Sequence, residues 1–150
     1  MNDLSKSPEH DRLLIPSLAS LYTHLEPCGY ALMRLASGSI MASFGSMKLF
    51  GDGMARDIEL FQRLELEPAV ALAYFTSGLE FFGGLAIAVG LLTRPIAAML
   101  FVELVVIVWM VMIPRGTGYH LSVVWLGVFL LIALRGGGRI SLDRLLGREF

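Results

Sequence analysis

Three ionisable side chains interrupt long apolar stretches of the chain: Arg34, Glu80 and Glu103. Such groups are costly in hydrocarbon, so they face protein or a polar ligand and mark a functional site by default. Arg34 heads a series, Arg34, Gly38, Met41, Gly45 and Lys48, whose spacing puts all five on one helical face. Glu80 shares a face with Ala73, Thr76, Ser77, Gly83 and Gly84. Small residues let two helix backbones approach in lipid, and the Thr76 and Ser77 hydroxyls can hydrogen-bond across the gap. Glu103 shares its face with Met99, Val106 and Met110.

At 1.5 Å per residue, Arg34 lies about 6 Å, Glu103 about 12 Å and Glu80 about 18 Å from one membrane edge. These depths predict a direct Arg34–Glu103 pair and an isolated Glu80 near mid-membrane. An isolated carboxyl there is disfavoured as an anion. Held neutral, Glu80 donates a hydrogen bond to a carbonyl, as a quinone or a lipid headgroup would require. Lys48 and His120 fall near the opposite edge and are secondary candidates, as are Thr76 and Ser77. Interfacial anchoring is the ordinary role of residues such as Lys48 there.

The same residues support plainer readings. A buried Arg–Glu pair can fix helix register without chemistry, and a protonated Glu80 can bond to Thr76 or to backbone. The glycines read as packing contacts. A third reading is a small-solute or proton pathway through Glu80 and Glu103. No residue is assigned a catalytic role and no metal site is expected, since no cluster of His, Cys or carboxylates has ligand spacing. Dinucleotide and P-loop patterns are absent. Cys28 is the single cysteine, so no intrachain dithiol couple exists.

The elements that must position these groups are membrane helices. Of 150 residues, 55% are hydrophobic and 17% charged, with a mean hydropathy of +0.68. Soluble domains carry about 25% charged residues. The net charge of −1 gives no sign of nucleic-acid binding. Four apolar windows, about 30–50, 69–92, 95–113 and 119–134, suit the roughly 20 residues a span needs. Glu80 does not forbid insertion. The 11 Leu, Ile, Val and Phe residues of 69–92 supply roughly −3 to −7 kcal/mol, against about +3 for one central acid.

The reading is therefore all-α: a four-transmembrane-helix antiparallel bundle over 29–135 with an amphipathic N-terminal surface helix. That helix is expected over 16–25, within a cytoplasmic tail of 1–28, from the recurrence of Leu14, Leu18, Leu21 and Leu25. Residues 51–67 form a polar loop with a short helix carrying Ile58 and Phe61. Thr93-Arg94-Pro95 reads as a tight turn, and 136–150 as a basic cytoplasmic tail. Seven basic residues, Lys6, Arg12, Arg94, Arg135, Arg139, Arg144 and Arg148, fall on the side of the termini, against four opposite. Both termini are thus expected in the cytoplasm.

Short motifs add a resemblance. Arg34-Leu35-Ala36-Ser37-Gly38 with Gly45-Ser46-Met47-Lys48 resembles the first span of the DoxX family. Leu79-Glu80-Phe81-Phe82-Gly83-Gly84, leading to Gly90-Leu91-Leu92-Thr93-Arg94, is similar to its second span and exit turn. The closing Gly136-Gly137-Gly138-Arg139-Ile140-Ser141-Leu142-Asp143 resembles its glycine-rich terminus. Glu103 and His120 lie outside these motifs. The resemblance implies a four-helix bacterial inner-membrane protein, in a family named from a subunit of a thiosulfate:quinone oxidoreductase. It points to an accessory role in a quinone-linked redox assembly, with quinone as the candidate cofactor. The expected partners are membrane lipid, a redox protein and a second copy of the chain.

Overall fold

A computed structural model describes residues 19–116 and 118–147. Among them every regular element is helical: α1 (Ala19–Leu49), α2 (Gly53–Arg63), α3 (Ala69–Val89), α4 (Thr93–Arg115), α5 (His120–Arg135) and the short α6 (Leu142–Leu145). Two of these, α3 and α4, are long and apolar enough to cross a membrane; α5 is apolar but shorter. Large apolar side chains face outward, Trp109 at 74% and Phe82 at 65% exposure among them. Such a surface suits lipid rather than water.

α1 packs on α3 and α2, whereas α4 packs on α3 and α5. The core lies between these layers, where Ile87, Leu100, Phe129 and Ile132 are fully buried and Met41 nearly so. Trp125 stacks on Phe129 with ring centroids 5.9 Å apart.

Two sequence expectations change. Residues 19–25 open α1 and form no separate surface helix, and residues 16–18 lie outside the described chain. Pro27 does not end α1. Beside it, Glu26 pairs with Arg135 at the end of α5. The turn between α3 and α4 also moves back, from Thr93-Arg94-Pro95 to residues 90–92, with Pro95 in the first turn of α4. Proline is at home there because the first helical N–H groups have no intrahelical acceptor to lose.

Candidate functional site

α1 and α3 cross at backbone contact. A Cβ on Gly38 would stand 2.5 Å from the Gly84 carbonyl oxygen, and one on Gly84 2.5 Å from the Ala42 nitrogen. One on Gly45 would overlap the Phe81 backbone. Only glycine fits at these three positions, and together they fix the register. Lys48, a turn beyond Gly45, is thereby carried to Glu80. Its ammonium donates to Glu80 Oε1 at 2.8 Å and pairs with Asp57 Oδ2 of α2 at 3.1 Å.

Glu80 is therefore not isolated, contrary to the depth argument. That argument gave every span one outer edge. In the structure Gly45 lies level with Phe81, so α3 runs on for about 12 residues beyond that level, roughly 18 Å. α2 folds over the end of α1 and packs along this extra length, supplying Asp57.

Glu80 stands in a wider turn of π type, residues Leu79–Gly83. π-turns are rare, cluster at functional sites and add a residue to the helical repeat. Consecutive glycines here meet different neighbours: Gly83 faces Ile96 of α4 and Gly84 faces α1.

Beside this ion pair an apolar cavity of about 430 Å³ opens between α2, α3 and α4. Phe61, Leu66, Phe75, Leu79, Met99 and Val102 line it, and its two polar members are Thr76 and Glu103. Thr76 Oγ1 donates to the Ala73 carbonyl at 3.2 Å. Glu103 Oε2, Glu80 Oε2 and Ser77 Oγ are buried without a hydrogen-bond partner. Glu103 is close enough to Glu80, Lys48 and Asp57 to feel their charges. The Lys48 ammonium thus pairs with two carboxylates, and the third carboxyl, Glu103, has no ion-pair partner among the described residues. The site suits a ligand that accepts a hydrogen bond or exchanges a proton, and it repels an anion. Among the described residues no group of three or more His, Cys, Asp or Glu is placed to hold a metal ion.

Arg34 belongs elsewhere. It lies about 21 Å along α1 from Lys48, on the side facing the end of the chain. Its guanidinium donates to the carbonyls of Gly137 and of Ile140, the latter at 2.7 Å. The expected Arg34–Glu103 pair is absent because the Arg34 guanidinium lies against Gly90 at the α3–α4 turn, whereas Glu103 stands ten residues, about 15 Å, along α4 from Thr93. Nearby, Asp143 accepts from Leu92 N at 2.8 Å, Thr93 N at 3.0 Å and Thr93 Oγ1 at 2.8 Å. Tyr30 donates its hydroxyl to the Gly136 carbonyl at 2.6 Å, and Arg135 lies over its ring. Residues 136–143 are thus a fastener across α1 and the α3–α4 turn. His120 stands apart at the exposed start of α5, its ring tilted against that of Tyr119 with centroids 4.5 Å apart.

With both polar regions described, the chain can be set beside known proteins. A family model described as DoxX matches residues 29–113, which is 85 of the 150 residues. The chain belongs to the DoxX family. The match on this DoxX chain takes in Lys48, Asp57, Glu80, Glu103 and all the cavity residues, and stops before the fastener. Membership of this membrane-associated family agrees with the apolar α3 and α4. No curated protein and no solved structure matches the chain.

Asp57 went unnoticed in the sequence, although a signal was there. The Gly51-Asp52-Gly53 reversal returns the chain to Lys48. A Cβ on Gly53 would stand 3.0 Å from the Lys48 Cα.

Proposed function

We propose that this DoxX protein crosses the bacterial inner membrane four times, with both termini cytoplasmic, as an accessory subunit of a quinone-linked redox assembly. In this reading α1, α3, α4 and α5 are the spans. α5 has 16 residues, about 24 Å, and crosses with help from flanking residues or local thinning of the bilayer. A quinone sits in the cavity between α2, α3 and α4. The observation that supports this is an apolar cavity walled by one carboxyl, Glu103, with an unpartnered buried oxygen. A quinone offers a flat apolar ring and carbonyl acceptors. Protonated Glu103 donates to one of them, and Lys48, Glu80 and Asp57 form the polar ground behind it. Redox chemistry resides in the partner protein.

Quinone content after gentle detergent extraction tests the ligand. Wild type retains quinone, Glu103→Gln keeps part of it, and Glu103→Leu and the cavity-filling Ala98→Phe lose it. Equal retention in all four would remove the ligand from this reading. Topology is checked by reporter fusions at Phe150 and within 51–67, which should report opposite sides of the membrane.

A further inference from the structure

A second cavity, of about 900 Å³, lies at the other end of α1, between α1, the last turns of α3 and the fastener. Its walls are of two kinds. Leu32, Leu35, Val89, Leu142 and Leu145 are apolar, while Arg34, Arg139 and Arg144 are basic, and no acidic residue lines it. Arg139 and Arg144 are exposed, and among the described residues neither guanidinium has an ion-pair or hydrogen-bond partner. Arg34 is buried, and its Nε has no partner. Around the two exposed arginines, Ile140, Leu142, Leu145 and Leu146 turn apolar side chains outward, Leu145 at 82% exposure. Neither bulk water nor hydrocarbon satisfies that mixture; a membrane interface does.

We propose that this groove binds one anionic phospholipid. The phosphate lies between Arg139 and Arg144, each guanidinium presenting paired N–H donors to its oxygens. An acyl chain runs along Leu32, Leu35 and Val89. The wall selects the headgroup by charge. A choline or ethanolamine head would bring a cation against unopposed arginines, whereas a glycerol head adds none. This site is independent of the quinone reading, since it shares no residue with the first cavity.

The test uses the delipidated full chain in detergent, titrated with phosphatidylglycerol, phosphatidylcholine or inorganic phosphate, with binding read by native mass spectrometry. Phosphatidylglycerol should bind one to a chain, and inorganic phosphate should not register. One basic residue near an anionic surface contributes a factor of roughly five, so Arg139→Gln and Arg144→Gln should each weaken binding about fivefold and the pair about 25-fold. Both positions are exposed, so the variants fold. Arg139→Lys keeps the charge but not the paired donors, so it should weaken binding less than Arg139→Gln does, and Arg115→Gln, at the end of α4, should leave it unchanged. Equal affinity for phosphatidylcholine, unchanged binding in the double variant, or equal competition by inorganic phosphate would each overturn the proposal.

Discussion

The two ends of α1 treat buried charge in opposite ways. At the Arg34 end, the charged groups are answered largely by backbone: Arg34 by two carbonyls, Asp143 by two amides and a hydroxyl. At the Lys48 end, side chains answer side chains, and three buried oxygens have no partner. Backbone partners sit at fixed positions, so the first arrangement holds the fold in one geometry. At the Arg34 end one buried atom, Nε, is unpartnered; at the Lys48 end three oxygens are, and their cost in stability is where a ligand between the helices has hydrogen bonds to complete.

The sharpest way to break this comparison is to remove Arg34. Arg34→Ala strands two carbonyls, and hydrogen bonds to charged groups contribute about 1.5–3 kcal/mol each. The loss should be about 3–5 kcal/mol in detergent unfolding. Asp143→Ala should cost at least as much, about 3–5 kcal/mol or more, because it strands two amides and a hydroxyl, one of the amides being that of Leu92. Leu92 holds a left-handed backbone, φ +46°, which a non-glycine residue adopts at some cost. If either variant loses less than the changes at the Lys48 end, the contrast between a backbone-held end and a side-chain-held end fails.

At the other end, a double-mutant cycle with Lys48→Met and Glu80→Gln should give a coupling of about 1–2 kcal/mol. Simple additivity would show that the pair does not form. Glu103→Leu should have the smallest effect and the opposite sign. Replacing an unpartnered carboxyl by an apolar side chain should stabilise the protein by about 1 kcal/mol. The gain should come with loss of bound quinone. A destabilised Glu103→Leu would mean that Glu103 is satisfied within the fold, and the contrast between the two ends would fail.

Much of the helical framework was legible because it depends on periodicity. The face Arg34–Gly38–Met41–Gly45–Lys48 is the buried face of α1 up to Gly45, and Gly38, Gly45 and Gly84 mark the crossing with α3. Partners were less legible. Depth counting assigned Arg34 to Glu103, but depth along an axis says nothing about which helix is adjacent. It also missed Lys48–Glu80, because the vertical offset of α1 against α3 follows from the glycine contacts rather than from span edges. The fastener was hidden for another reason. Carbonyl acceptors are common to every residue, so Gly137 and Ile140 gave no sign that they would hold an arginine. The role of Glu80 was legible as a buried acid and no further.

The fastener also sets an order of assembly. Arg34 and the Ile140 carbonyl are 106 residues apart, and synthesis at 5–20 residues per second separates their appearance by roughly 5–20 s. During that interval the first helix is already made, while the groups that will hold its guanidinium are not. Glycines at the α1–α3 crossing can bring those two helices together early, but the arginine has neither carbonyl acceptor until residues 137 and 140 are made. Synthesis of residues 136–143 is then the step that lets the arginine be buried with its acceptors. A chain stopped before Gly136 would hold the whole family-matched region and still be a biogenesis intermediate, with its first helix unsecured.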